Sequence, residues 1–379
     1  MRILVTGATG YVGSRLIAAL LSGGHEIVAA TRAPETLRRF GWYADVTPVA
    51  LDAGDRASAV QAFAQTGQID VVYFLVHRIG QPDFREADNK AAANVAKAAG
   101  KAGVKRIVYL GGFVPDERAL SDHLAGRAEV AQALTVDGGP GVVWLGAAVI
   151  IGAGSTSFEM VRYVGDRFWL IPMPKWVDNA IDPISIHDAL YYLVAAADPD
   201  RVPAGGYDIC GPETTTYRKL LLAYLHAAGA RRAGVPVRGV NKSLMSWATG
   251  AAVPVPSGLA ADLVASLDYP MTASRDLLRA EVPDPPGGLT TVKDAMALAL
   301  SRHRPRPVNA LADPHHLADS DPVWAGGDTL RIRQLASLVT PTVAWPVLQL
   351  LGAVPGPVAG VLRTGLDMLV GLTPKERPS

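Results

Sequence analysis

Gly7-Ala8-Thr9-Gly10-Tyr11-Val12-Gly13 sets three glycines at intervals of three, directly after the β-branched run Ile3–Val5 and ahead of a helical pattern. Small residues in that setting serve a tight turn, close approach of another group to the backbone, and close packing of helix on strand. The helix N-terminus then offers unpaired N–H groups and a positive dipole end to phosphate. Gly7, Thr9, Gly10, Tyr11, Val12 and Gly13 are therefore expected to cradle the pyrophosphate of a dinucleotide. An acid about twenty residues beyond such glycines holds the ribose hydroxyls of NAD. This chain has Ala30-Thr31-Arg32 there, and the next carboxylate, Glu35, lies beyond Pro34. Arg32 can face a 2′-phosphate, so the missing acid favours NADP(H); a solvated surface arginine is the plainer alternative.

Other chemistries find less support. The eight histidines are scattered, and only His315 and His316 are adjacent, so no metal site is expected. There is no Gly-x-Ser-x-Gly elbow for a hydrolase. With 36 basic and 35 acidic residues in 379, and no basic stripe interleaved with aromatics, nucleic acid is not an expected partner. The aromatics Phe158, Trp169 and Trp176, together with Met160, Phe168 and Trp247, fall on the side of the chain that follows the sixth strand. They form a candidate wall for a small apolar substrate, the alternative being ordinary core packing.

These residues need a scaffold, and the patterning supplies one. Apolar, β-branched runs at Ile3–Val5, Glu26–Ala30, Thr47–Leu51, Val71–Val76, Arg106–Leu110 and Val142–Ile151 alternate with helical patterns at Arg15–Ser22, Ala57–Gln65, Glu86–Ala102 and Leu124–Leu134. Strand–helix alternation with near-continuous apolarity in the strands implies an α/β, doubly wound parallel sheet covered on both faces. A strand at Gly206–Ile209 and helices at Thr216–Ala228, Gly258–Ser266 and Thr290–Ser301 follow. The division expected is a Rossmann core over 1–152, remaining core elements and a smaller substrate lobe over 153–303, and a linker with an apolar helical tail over 304–379. Pro305–Asp321, punctuated by proline and aspartate, reads as the linker. The single cysteine, Cys210, and the short apolar run at the start fit a cytoplasmic protein.

With the glycine motif and Arg32, the chain resembles the atypical short-chain dehydrogenase/reductase superfamily, in particular the NADP-binding, epimerase-like subgroup related to nitrogen-metabolite-repressor proteins. The resemblance covers roughly residues 1–300, on the domain sizes usual for such folds. It is carried by the cradle, Leu51-Asp52, Val72 through His77, Asp88 through Asn94, Ser121-Asp122-His123, Ile151 through Ser155, and Cys210-Gly211-Pro212-Glu213. It implies that Asp52 meets the adenine and that Leu75, Val76 and His77 lie along the cofactor. Catalytic members use Asn, Ser, Tyr and Lys, with Tyr-x-x-x-Lys. No tyrosine here has a lysine four residues on, the serine position reads Leu110-Gly111-Gly112-Phe113, and Asp88 stands at the asparagine position. His123 and Arg127 match the tyrosine and lysine by place. In one reading His123 delivers a proton while Arg127 stands near the nicotinamide ribose. In the other, the two are a solvated pair on a protein that binds NADPH without turnover.

Gln334 to Leu362 is an uncharged run of 29 residues, broken by Pro341, Pro346, Pro355 and Pro357 into pieces of at most eight, a poor membrane span. Val358, Val361, Leu362, Leu369 and Leu372 then mark one helical stripe, which suits packing on the body or, over residues 334–372, a membrane surface. The functional expectation is an NADPH-dependent oxidoreductase acting on an apolar small or lipid-like carbonyl or unsaturated compound. The alternatives are an NADP(H)-sensing regulatory protein without turnover, or a membrane-peripheral or assembly subunit holding NADPH structurally. The sequence leaves the oligomeric state open.

Overall fold

The computed structural model describes residues 1–77, 83–114, 122–237, 267, 269–301 and 304–328, with the side chains of 122–125 excepted. The helix expected at Gly258–Ser266, Trp247 and the tail over 334–372 lie outside the described residues.

Each apolar run becomes a strand: β1 (Arg2–Thr6), β2 (Glu26–Thr31), β3 (Val46–Ala50), β4 (Val71–Phe74), β5 (Arg106–Gly112) and β6 (Gly141–Ala147). Two short strands, β7 (Ile150–Ile151) and β8 (Leu170–Met173), precede β9 (Ala180–Ile181), β10 (Ile184–Ser185), β11 (Gly205–Asp208), β12 (Thr215–Thr216) and β13 (Ala233–Pro236). Seven of them form one sheet in the order β11-β6-β5-β4-β1-β2-β3, with every pair parallel. The order reverses between β1 and β4, and at such a switch point a crevice opens beyond the strand C-termini.

Among the described residues the helices are α1 (Tyr11–Ser22), α2 (Arg56–Thr66), α3 (Phe84–Lys101), α4 (Asp122–Leu134), α5 (Thr156–Arg167), α6 (Ile186–Ala195), α7 (Tyr217–Ala227) and α8 (Val292–Leu300). One face of the sheet packs its odd residues Ile3, Val5 and Tyr73 with Leu16, Ile17 and Leu20 of α1 and Ala189 and Leu193 of α6. The other packs Leu4, Val28, Phe74 and Tyr109 with Ala59 of α2, Val95 of α3 and Val130 of α4. This two-sided burial is what continuous apolarity required. A third cluster joins Phe158 of α5, Leu221 and Tyr224 of α7 and Met296 of α8 into a smaller lobe.

Two expectations need correction. Val142–Ile151 is not one strand: β6 ends at Ala147, and Ile150–Ile151 leaves the sheet to pair with Ile184–Ser185. Pro305–Asp321 is not a linker either, because Val308 and Ala318 enter the α1 side of the core and His315 is fully buried. The reason lies in Arg15 of α1, itself 2% exposed. Its Nη1 and Nη2 donate to Asp321 Oδ1 and Oδ2 at 2.8 and 2.7 Å, and it donates further to the Pro314 and His316 carbonyls at 3.0 and 2.9 Å. A buried guanidinium must be paired, and the aspartate-rich segment is its partner. Beyond it, Arg167 meets Asp328, and the Tyr163 hydroxyl donates to the Trp324 carbonyl.

Candidate functional site

The crevice at the switch point is built from backbone. Gly7 adopts φ +68°, a conformation that only glycine takes without strain, and a Cβ there would meet the Leu75 carbonyl oxygen at 2.7 Å. A Cβ on Gly13 would meet the Gly7 oxygen at 2.2 Å, so α1 sits directly on the turn. Gly10 differs from both: only the Gly7 oxygen, at 3.2 Å, lies near its missing side chain, and it is exposed. The sheet is stitched at this level by Thr6, whose hydroxyl donates to the Tyr73 carbonyl at 3.0 Å and accepts from Leu75 N–H at 3.2 Å.

The start of α1 is kept bare. Asp55, Ser185, Thr216 and Thr291 cap α2, α6, α7 and α8 with side-chain hydrogen bonds. α1 has Gly10 as its N-cap, with no side-chain cap and no acid in its first turn. The N–H groups of its first turn, at Tyr11, Val12 and Gly13, are left for an anion. Tyr11 contributes its backbone alone. Its ring points back toward the body, with Arg15 stacked at 4.0 Å and its buried hydroxyl 2.2 Å from where a Gly152 Cβ would stand. Thr9 is half-buried in the loop.

The other expected cofactor residues line up along the same edge. Thr31 pairs with Ala50, and Leu51 N–H donates to the Thr31 carbonyl at 2.8 Å, which sets Arg32 and Asp52 at the ends of adjacent strands. Arg32 is exposed; Asp52 is half-buried, with Oδ1 accepting from Gly54 N–H at 2.9 Å. Leu75 and Val76 are half-buried beside Gly7, and His77 stands at the end of that loop.

Two of the three expected catalytic residues, Asp88 and Arg127, line a recess together with Val76, His77, Phe84, Tyr109, Gly126 and Val130. Arg127 reaches down from α4 past Gly112 and donates to the hydroxyl of Tyr109 on β5. Burial drives the Tyr109 hydroxyl pKa up, and the nearby charge of Asp88 adds to this against the opposing pull of Arg127. His77 has an open edge, yet the protein around its ring and then the Arg127 charge push its imidazole down, to about 4, with solvent at the open edge moderating the push. His123 lies on α4 one turn before Arg127, its side chain outside the described residues. Tyr109 was not among the expected residues. Its cation comes from α4 rather than from four residues along, so no local spacing signals it.

The empty serine position has a physical cause. A Cβ on Gly111 would strike Trp144 Nε1 at 2.6 Å and the Tyr109 ring at 2.9 Å, so aromatic rings occupy that space. The expected substrate wall is dispersed. Phe158 is fully buried between Tyr224 and Arg162 and supports the lobe from within. Trp176 is half-buried, edge-on to Tyr217, while Trp169 is 59% exposed under Arg232.

Residues 7–135, which hold this cradle and recess, match a family model described as NAD(P)H-binding. The chain carries an NAD(P)H-binding domain. Over 224 residues, 59% of the chain, it is 30% identical to uncharacterized proteins of Mycobacterium tuberculosis and Mycobacterium bovis. The match spans 23% of the length of those curated relatives. Among solved structures, a nucleoside-diphosphate-sugar epimerase from Staphylococcus aureus is similar with a TM-score of 0.61 at 17% identity, covering 78% of this chain and 100% of that one. The Citrobacter sp. triphenylmethane reductase complexed with NADP(H) gives 0.60 at 22% identity, covering 78% and 98%. UDP-glucose 4-epimerase from Bifidobacterium longum, in complex with NAD+ and UDP, gives 0.57 at 16%, covering 78% and 96%. At such identities the likeness is one of fold, the Rossmann fold, and it agrees with the doubly wound architecture expected from the sequence. Among the described residues, no helix is long and apolar enough to cross a membrane.

Proposed function

We propose that this protein is an NADPH-dependent oxidoreductase of the atypical short-chain dehydrogenase/reductase type, acting on an apolar small or lipid-like carbonyl or unsaturated compound. The observation that carries the reading is the uncapped first turn of α1, set directly after a turn in which Gly7 packs on the Leu75 backbone. The N–H groups of Tyr11, Val12 and Gly13 would hold the pyrophosphate, Arg32 the 2′-phosphate and Asp52 the adenine side, with Leu75, Val76 and His77 along the remainder. Bound there, the nicotinamide supplies hydride chemistry. His123 would provide the proton, with Arg127 and Asp88 ordering the recess behind it, and Trp169 and Trp176 would touch the substrate. Turnover of quinones, enones and fatty aldehydes, followed at the NADPH absorbance band, tests this. His123→Ala should then lose roughly 10²–10⁴-fold in kcat with NADPH affinity unchanged. Full activity of that variant clears His123 of proton transfer.

A second reading, NADP(H) sensing without turnover, draws on the inward orientation of Arg127, whose guanidinium is engaged with Tyr109. It expects tight NADPH binding with no turnover of any of these compounds, and a partner affinity that changes with the cofactor's redox state.

A further inference from the structure

Three buried polar atoms near the C-terminal ends of β6 and β11 have no hydrogen-bond partner among the described residues: Trp144 Nε1, Asp208 Oδ1 and Arg275 Nη1. They belong to one construction. Phe74, Tyr109 and Trp144 stand in register across β4, β5 and β6 as a row of tilted rings. The next strand offers Gly206 at that level, and Arg275 takes the place of its missing side chain, with the guanidinium 3.3 Å from the indole centre.

Two residues further along each strand the register brings together Gly111, Gly146 and Asp208. A Cβ on Gly146 would lie 2.4 Å from Asp208 Oδ1, as one on Gly111 would lie 2.6 Å from Trp144 Nε1. Both polar atoms thus rest directly on glycine backbone. Asp208 is 1% exposed, and its Oδ2 accepts from the N–H groups of Ser274 and Arg275 at 2.7 and 2.9 Å. Its Oδ1 stands 3.7 Å from Arg275 Nη1, beyond hydrogen-bond reach. Desolvation of the guanidinium holds the Arg275 pKa below its ordinary value, with Asp208 acting against it.

Leaving such groups unmade is costly, and the arrangement defines what would complete it. One guanidinium links the other two groups, its Nη1 3.7 Å from Asp208 Oδ1 and its centre over the Trp144 indole. A hydroxyl accepts from the donors and donates to the carboxylate. A carboxylate or phosphate would be repelled by Asp208, an ammonium by Arg275, and a hydrocarbon would leave all three unpaired. We propose that the Trp144–Asp208–Arg275 seam is a recognition subsite for an alcoholic hydroxyl group of the substrate, closed by Arg275. The Arg275 side chain is 22% exposed and is the part that swings off the indole to admit the group.

The proposal deepens the reductase reading by placing a hydroxyl on its substrate; binding rather than turnover tests it, so the two fail separately. In the full-length protein with NADPH, the Trp144 indole N–H resonance, assigned by its loss in Trp144→Phe, is followed while 1-hexanol, cyclohexanol and benzyl alcohol are added against hexane, cyclohexane and toluene. At least one alcohol should shift the resonance saturably and bind at least ~10-fold more tightly than its hydrocarbon. Arg275→Met, and Asp208→Asn where it melts near the wild type, should each remove that preference. Equal responses to alcohol and hydrocarbon overturn the proposal. So does a resonance that no alcohol moves, the indole proton then being held by ordered water, and so does a preference that survives in Arg275→Met.

Discussion

The cradle and the recess are neighbours in space and opposites in construction. At the cradle, the working groups are backbone N–H donors, and the side chains that matter are the absent ones of Gly7, Gly10 and Gly13. In the recess, the groups are side chains carried by four separate pieces of chain: His77 after β4, Asp88 on α3, Tyr109 on β5 and Arg127 on α4. A backbone site depends on one contiguous segment whose spacing is written in the sequence. A side-chain site depends on register between elements, so each member can be replaced or supplied from elsewhere. The cradle therefore tolerates almost no change, while the recess can keep its shape and alter its chemistry.

The largest expected effect probes what holds the cradle from behind. Asp321→Ala leaves Arg15 buried without its carboxylate and should cost about 3–5 kcal/mol in urea unfolding. Arg15→Met combined with Asp321→Ala should recover much of that loss. If Asp321→Ala proves neutral, α1 does not depend on the segment.

Gly10→Val comes next. Its branched side chain enters the open space in front of α1, so NADPH affinity should fall by about 100-fold or more, the equivalent of losing charge-assisted contacts to phosphate. The melting temperature should barely move. Retained affinity in calorimetric titration would remove the dinucleotide site from this edge.

Arg32→Ala sharpens the contrast within the cofactor site itself, since Arg32 is its one cationic side chain proposed to select. Wild type should favour NADPH over NADH by roughly 10- to 100-fold, and the variant should lose that preference. Equal affinities in wild type would exclude the role.

Tyr109→Phe should cost about 1 kcal/mol of stability by leaving Arg127 short of an acceptor, with NADPH affinity unchanged. A tenfold loss of affinity would show that the two regions are one site and break the comparison.

The smallest effect is one of pH. Burial alone would raise the Asp313 carboxyl, but hydrogen bonds from His315 outweigh it and hold it at about 2. A depressed carboxyl stabilises the fold above its unfolded value and loses that contribution as pH falls through the folded one. Stability should therefore drop between about pH 4 and pH 2, by about 1 kcal/mol after allowance for solvent screening. Asp313→Asn should flatten that part of the profile.

Much of the sheet was legible because parallel strands covered on both faces must be apolar throughout, and turns between them need glycine. α1 begins at Tyr11 rather than at Arg15 because the cradle residues themselves form its first turn. The recess was half legible. Asp88 and Arg127, both singled out in the sequence, line it together, whereas Tyr109 looks like any strand aromatic until the register sets it beneath α4. Phe158 shows the converse: an aromatic in the right segment that packing commits to the core. The segment over 304–321 misled for an electrostatic reason. Aspartates and prolines imply solvated chain, and only a buried cation 306 residues away turns Asp321 into an anchor.

That anchor has a consequence for the order in which the molecule is made. Arg15 is synthesised before its carboxylate partner, which follows 306 residues later. Until then the first helix carries a cation that its own surroundings cannot neutralise, so the nascent N-terminal half cannot settle into its final packing by itself. Contacts this distant close slowly, and the intermediate that waits for them exposes the surface that 304–321 will cover. Synthesis interrupted before Asp321 thus leaves α1 with a cation lacking its carboxylate.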